Sequence, residues 1–397
     1  MKEVEKMILN HCRLVSALSG GIQSENGSVE VRDGKIVKVS SSPVAEGGSF
    51  DCQGKTLLPG LIDLHTHITV LGGVGADKLH TPMGLLVTAA EHVTHYLDHG
   101  FTTIRDCGSS LRAANFVRDM VKNGSLEAPD IISCGRAIMT TEVEEGNPLA
   151  SHLAFADGCD EMTKAVRREA AEQADFIKIF TSGAAANPSG IPTQAIMNRT
   201  ELHAIVEAAA MKDKYVAAHC HSDAAIRLCI ESGVKTIEHA TYLSDESLEM
   251  VMDKKDCYLI PTLAVMYIGD GPRKEYWSKR LGPMFRHCTE AMEKAYSAGE
   301  ILGFGTDCCA GDDCYENGIE FRFRRENCHM KDVDILLQAT KYNARIAGIE
   351  DQVGEIKEGL NANLILIDGK PDEDISAMYG RPDKVWKNGR LVREAIV

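Results

Sequence analysis

Six side chains of the kinds that bind metals or move protons stand at recurring places in the sequence. His65 and His67 close the run LLPGLIDLHTH, two residues apart. In a β-strand, residues i and i+2 point to the same face. Both imidazoles can therefore project from one strand end, with Asp63 on the same side behind them. Neutral imidazole is a common metal ligand, although paired histidines on a strand are often plain polar neighbours. Four further residues sharpen the choice. Lys178 lies in FIKIF, His219 ends YVAAH, His239 ends KTIEH and Asp307 ends ILGFGTD, each at or near the end of an apolar run. Nitrogen and oxygen donors gathered on one rim suit divalent ions.

Lys178 needs its own argument. A protonated lysine cannot coordinate a cation, and burying its charge beside metals is costly. Its amine can lose the proton and combine with CO₂, giving a carbamate that bridges two metals, or it can anchor a substrate carboxylate. A lysine snorkelling to the rim is the plain alternative.

These residues need a scaffold that turns several strand ends toward one point. Buried strands are predicted at the run ending in His67 and at Phe101–Asp106, Ile131–Arg136, Phe176–Phe180, Tyr215–His219, Lys235–His239, Cys257–Thr262 and Ile301–Asp307. Helix-length segments such as Glu161–Ala174 and Glu201–Lys212 separate them. Eight such repeats predict an α/β fold, a (β/α)₈ TIM barrel, whose site lies at the C-terminal ends of the strands. A further helical stretch is expected at Asp332–Ala347. Residues 1–56 read as short strands, with a hairpin over Ser28–Val39 around Asp-Gly. Strands return at Ala362–Ile367 and Val385–Val392, the latter containing Asn-Gly. A small β-sandwich-like domain from 1–58 and 350–397, with the barrel at 59–349, is the simplest arrangement.

The chain has 397 residues, 44% apolar and 25% charged, with a net charge of −15. That balance argues against a nucleic-acid surface, which needs clustered Lys and Arg. No apolar run approaches the roughly 20 residues of a membrane span, and the first residues do not read as a secretory signal. Thirteen cysteines without a CxxC pair are expected as reduced thiols of a cytoplasmic protein, including the cluster Cys308, Cys309 and Cys314. His92, His95 and His99 fall at helical spacing and are expected as solvated helix positions. The run FRFRR, Phe321–Arg325, is likewise expected on a solvated helix face.

Taken together, PGLIDLHTH, TTIRDCG, ADFIKIF, VAAHCHS, TIEHATYL, FGTD and the closing NARIAGIEDQVGEIKEGLNANLILID resemble the metal-dependent amidohydrolase superfamily. The likeness is to its prolidase-like and imidazolonepropionase-like branch, which includes Xaa-Pro and Xaa-Arg dipeptidases. It implies that His65 and His67 bind one metal and that His219 and His239 bind a second. It makes Lys178 the carbamylated bridge, and Asp307 both a ligand and the general acid/base. It implies two divalent ions, usually zinc, and metal-bridged hydroxide attack on the amide of a dipeptide or N-acyl amino acid. His221, two residues past His219, is implied to contact substrate, and Tyr242 and His152 are further candidates. The Gly-Gly that precedes this histidine in relatives is missing before His152, and SGAAANPSG after Lys178 also departs from them. A homo-oligomer is expected by the same resemblance. The alternatives are a cyclic amide or lactone hydrolase, a deaminase, and a non-catalytic barrel subunit.

Overall fold

The computed structural model describes residues 6–45, 49–71, 81–142, 151–184, 191–266, 274–310 and 315–394. Residue Cys314, most of the segment before His152 and part of SGAAANPSG lie outside them. The described cysteines are all free, and no helix among the described residues is long and apolar enough to cross a membrane.

The two chain ends build one sheet. Lys6–Leu14, Ser24–Arg32, Lys35–Ser40, Phe50–Asp51 and Thr56–Pro59 join Leu364–Ile367, Lys384–Lys387 and Arg390–Glu394. The seam is antiparallel, with Leu364 opposite Pro59 and Leu366 opposite Leu57. Both expected turns form. Asp33 and Gly34 (φ 50° and 78°) and Asn388 and Gly389 (φ 48° and 74°) are left-handed pairs, the backbone that a two-residue hairpin requires. Leu9, Val29, Ile36, Leu57, Leu364 and Trp386 fill the core between them. Buried Arg13 holds the ends together through Asp372 (2.5 Å) and Glu373 (2.9 Å).

Between Leu61 and Ala310 the paired strands are parallel, and most are followed by a helix. One sheet contains Leu61–Leu71, Phe101–Asp106 and Asp130–Ser133, with Cys308–Ala310 on its edge. A second runs through Ala137–Met139, Ile177–Phe180, Val216–Cys220, Thr236–His239 and Tyr258–Ile260. Backbone bonds connect them at both margins: Asp175 N–H donates to Ser133 O (2.7 Å), Gly303 to Leu259 O (2.9 Å) and Leu64 to Phe304 O (3.0 Å). The larger core cluster packs Ile104, Ile179, Ala218, Ile237 and Leu259 of these strands against helix residues such as Val93, Val117, Ile205 and Ile226.

Several expectations change. The first parallel strand runs past His67 to Leu71. Residues 301–307 do not form a regular strand; bridges occur at Leu302 and Gly305, and the regular strand is Cys308–Ala310. The strands Ala137–Met139 and Leu153–Phe155, three residues each, escaped notice because so short a run shows no alternation. The stretch 332–347 is helical but broken into Asp332–Leu337, a π turn at Gln338–Tyr342 and Asn343–Ala347. FRFRR is no solvated face. Arg324 is fully buried, pairing with Glu320 (2.8 Å) and donating to Gly303 O, Pro261 O and Gln338 Oε1. Of the three helical histidines only His95 is exposed. His92 meets the Tyr96 hydroxyl (3.2 Å) and His99 meets Glu316 (3.4 Å), so they share no common face.

Candidate metal centre

The strand ends converge as their sequence positions require. His65 and His67 come from Leu61–Leu71, and Lys178 from Ile177–Phe180. His219 belongs to Val216–Cys220, His239 ends Thr236–His239, and Asp307 immediately precedes Cys308–Ala310. Three donor groups result among the described residues: His65, His67 and Asp307; His219, His221 and His239; and, behind the His65 ring, His65, Cys107 and Glu238, with the ligand atoms of each within 4.8 Å of one another. The first two adjoin, since the His65 and His239 rings lie 4.8 Å apart. Asp307 Oδ1 is 3.3 Å from His67 Nε2 and 3.6 Å from His65 Nε2. Lys178 Nζ is 3.4 Å from His65 Nε2.

Several rings have one nitrogen committed and the other turned inward. His67 Nδ1 faces Gly108 O (2.9 Å), His239 Nδ1 the Thr262 hydroxyl (2.8 Å) and His221 Nδ1 the Thr241 hydroxyl (2.8 Å). His65 Nδ1 meets Glu238 Oε2 at 2.7 Å. Outer partners of this kind fix tautomer and ring orientation at metal sites.

The electrostatics suit a cation. Burial first, then the Lys178 ammonium, push His65 down to about 4 against the pull of Asp307 and Glu238. Burial also brings His221 to about 3 and holds His219 and His239 well below the ordinary value. These imidazoles are neutral at pH 7 and have a lone pair to give. His67 goes the other way: burial opposes its charge, but Asp307 outweighs it and raises the value. Burial alone would raise Asp307, yet His65 and His67 keep it below the usual carboxylate range.

Two observations test the fit of metal ions. The buried Nε2 of His219 has no hydrogen-bond partner, and an orphaned buried donor or acceptor is costly. Lys178 is 1% exposed, and among the described residues no carboxylate lies within ion-pair distance of it. An orphaned imidazole nitrogen beside a buried lysine without a carboxylate partner among the described residues fits bound metal.

The backbone is distorted at the same place. His239, Ala240 and Asp307 have φ of 68°, 48° and 56°, conformations that cost free energy and persist where the surroundings impose them. At His239 this overrides strand alternation. Glu238 and His239 are consecutive, yet both reach the cluster.

Of the candidate substrate contacts, His221 joins the second donor group. Half-buried His152 lies 5.8 Å from the His67 ring. Tyr242 packs on His287 (4.9 Å), and its backbone N–H donates to His221 O (3.0 Å). Sequence reading passed over Glu238, Arg105, Thr262 and Thr241 as participants, and placed Asp63 behind the histidines without giving it a role. Arg105 in TTIRD and Glu238 in TIEH did carry a signal, a charge inside a buried strand. Asp63 accepts from the backbone of His65 (2.9 Å), the hydroxyl of Thr306 (2.6 Å) and Tyr315 (2.7 Å), binding the histidine strand to the turn that presents Asp307.

Known proteins resemble this chain over most of its length. The chain is 28% identical to ochratoxinase of Aspergillus niger over 377 residues, covering 85% of this chain and 75% of that one. It superposes on a prolidase complexed with N-methylphosphonate-L-proline, with a TM-score of 0.87 and 25% identity, covering 98% of this chain and 100% of the other. A Xaa-Pro dipeptidase with bound methionine gives a TM-score of 0.86 and 26% identity at the same coverage. These likenesses imply a TIM-barrel-like α/β fold and a hydrolase of carbon–nitrogen amide bonds. The sequence model of the amidohydrolase family matches residues 56–392. Six donors on the strand ends and a match across most of the chain lead to one assignment: this protein belongs to the amidohydrolase family, on its prolidase-like branch.

Proposed function

We propose that the chain is a binuclear metal-dependent amidohydrolase that cleaves a dipeptide or an N-acyl amino acid. The observation that carries the proposal is the pair of donor groups flanking a buried lysine with no carboxylate partner among the described residues. His65, His67 and Asp307 hold one ion, and His219 and His239 hold the other. Lys178, its neutral amine combined with CO₂ as a carbamate, would supply further oxygen donors to them. Zinc suits this nitrogen and oxygen set. When bound, the ions polarise the scissile carbonyl and acidify a water.

The chain's own groups do the rest. Asp307, ionised at neutral pH beside His65 and His67, accepts the proton of the attacking water and returns it to the leaving amine. His221, its Nδ1 held by Thr241, presents Nε2 to the substrate carbonyl. His152 and Tyr242 contact the substrate from the rim. The margins joined by backbone bonds support one closed eight-stranded barrel at 59–349. The sheet from both ends supports a separate β domain of 1–58 and 350–397.

Libraries of L-Xaa-L-Xaa dipeptides and N-acyl amino acids, incubated with metal-loaded protein, test the substrate class. Cleavage of members of either library is expected, and cleavage of none contradicts the proposal. Faster turnover of cyclic amides than of any dipeptide moves the assignment to the imidazolonepropionase-like branch. Carbon-13 NMR after exposure to labelled bicarbonate tests the bridge: a carbamate resonance that Lys178→Met removes is expected, and its absence from active protein excludes it.

A further inference from the structure

We propose that Glu238, clamped by Arg105, is a positioning residue that fixes the ring of His65 for metal binding. The inference rests on the reading of His65 as a ligand. Glu238 and Arg105 are both fully buried and lie 2.7 Å apart. Barrel interiors are ordinarily filled by branched apolar side chains, and apolar replacements of a buried ion pair are often neutral or stabilising. Stability alone therefore does not account for a charged pair in this layer.

The geometry accounts for it. Glu238 Oε1 accepts from Arg105 Nη2 (2.7 Å) and from the Thr236 hydroxyl (2.6 Å), which leaves Oε2 for His65 Nδ1 at 2.7 Å. A carboxylate only accepts, so Nδ1 carries the ring proton. The lone pair is then on Nε2, the atom facing Asp307 and Lys178. Arg105 is itself immobilised. Its Nε donates to Leu64 O (2.6 Å), beside His65 in the chain, and its Nη1 donates to Thr236 Oγ1 (3.1 Å). The fork thus registers the carboxylate against the strand that bears the ligand. A carboxylate behind a ligating imidazole also makes it a stronger donor.

The test is competition for zinc between full-length protein and a chromophoric chelator, on wild type and Glu238→Gln. We expect one of the wild-type zinc sites to weaken about 10–100-fold while the other keeps its affinity. Turnover of Glu238→Gln should recover in added zinc with KM unchanged, which a merely structural defect would not do. Wild-type affinities at both sites in Glu238→Gln overturn the proposal. If that variant fails to fold, Thr236→Val is read in the same way, since it removes one donor to the same carboxylate and keeps the ion pair. Selective weakening of one site supports the proposal, and unchanged affinities overturn it. Wild-type protein that takes up no zinc refutes the metal reading itself, which separates the two failures.

Discussion

At the scale of single residues, the donors were legible because metal chemistry restricts the side chains that can serve, and strand ends restrict where they sit. Their supports were not legible. Glu238 meets His65 from 173 residues away, and no spacing announces such a partner. The left-handed turn at His239 also breaks the alternation that a strand reading assumes. Asp307→Asn should leave the left-handed turn intact, since Asn tolerates it as well as Asp. It should bind metal and lose about 10²–10⁴ in kcat; steady-state kinetics with metal analysis checks both, and near-normal turnover would reject the acid/base role. His92 supplies a pH signature away from the centre. Burial lowers its folded value to about 4 from the ordinary 6.5. A depressed histidine keeps its full stability above 6.5 and loses it as pH falls toward 4, because the unfolded chain protonates first. Denaturant melts should show wild type losing on the order of 2 kcal/mol more than His92→Gln across that interval. Parallel curves would count against it.

At the scale of elements, the strand and helix order was readable from apolar runs, whereas the ends of the elements were set by packing. Residues 301–307 were expected as a strand because ILGFG is apolar. Instead, Gly305 passes so close to its neighbours that a Cβ there would lie 2.9 Å from His65 Cβ and 3.0 Å from Ile260 Cγ2. Gly305→Ala should cost about 1–3 kcal/mol, read as a lower melting temperature, and should weaken metal retention because the strain falls on His65. FRFRR misled for a related reason: a charged residue reads as solvated until its partner is known. Glu320 accepts from the backbone of Leu263 (2.8 Å) and Ala264 (2.7 Å), so the pair with Arg324 locks a helix to the loop after Tyr258–Ile260. Removing Arg324 leaves a buried, uncompensated carboxylate. Arg324→Ala should therefore lose about 3–5 kcal/mol, and a loss no larger than that of a surface arginine would contradict this role.

At the scale of the whole molecule, a sheet sewn from both chain ends stands beside a parallel α/β body whose strand ends converge on one centre. The alternation of strands and helices made the α/β part legible, and the Asp-Gly and Asn-Gly turns marked two hairpins of the sheet. What the chain cuts was not legible, because specificity lies in the loops that link strand ends to helices. Ions bound only by the folded state stabilise it by mass action, about 4 kcal/mol at a thousandfold excess over Kd. Stripping with a chelator should thus lower the melting temperature and abolish turnover, with zinc restoring both. The most direct test of the central claim is elemental analysis of zinc-reconstituted, desalted protein, alongside assay of amide cleavage. Close to two divalent ions per chain are expected, as a two-metal site requires, with activity that rises with occupancy. Protein that retains no divalent ion, or that cleaves amides equally well without one, would contradict it.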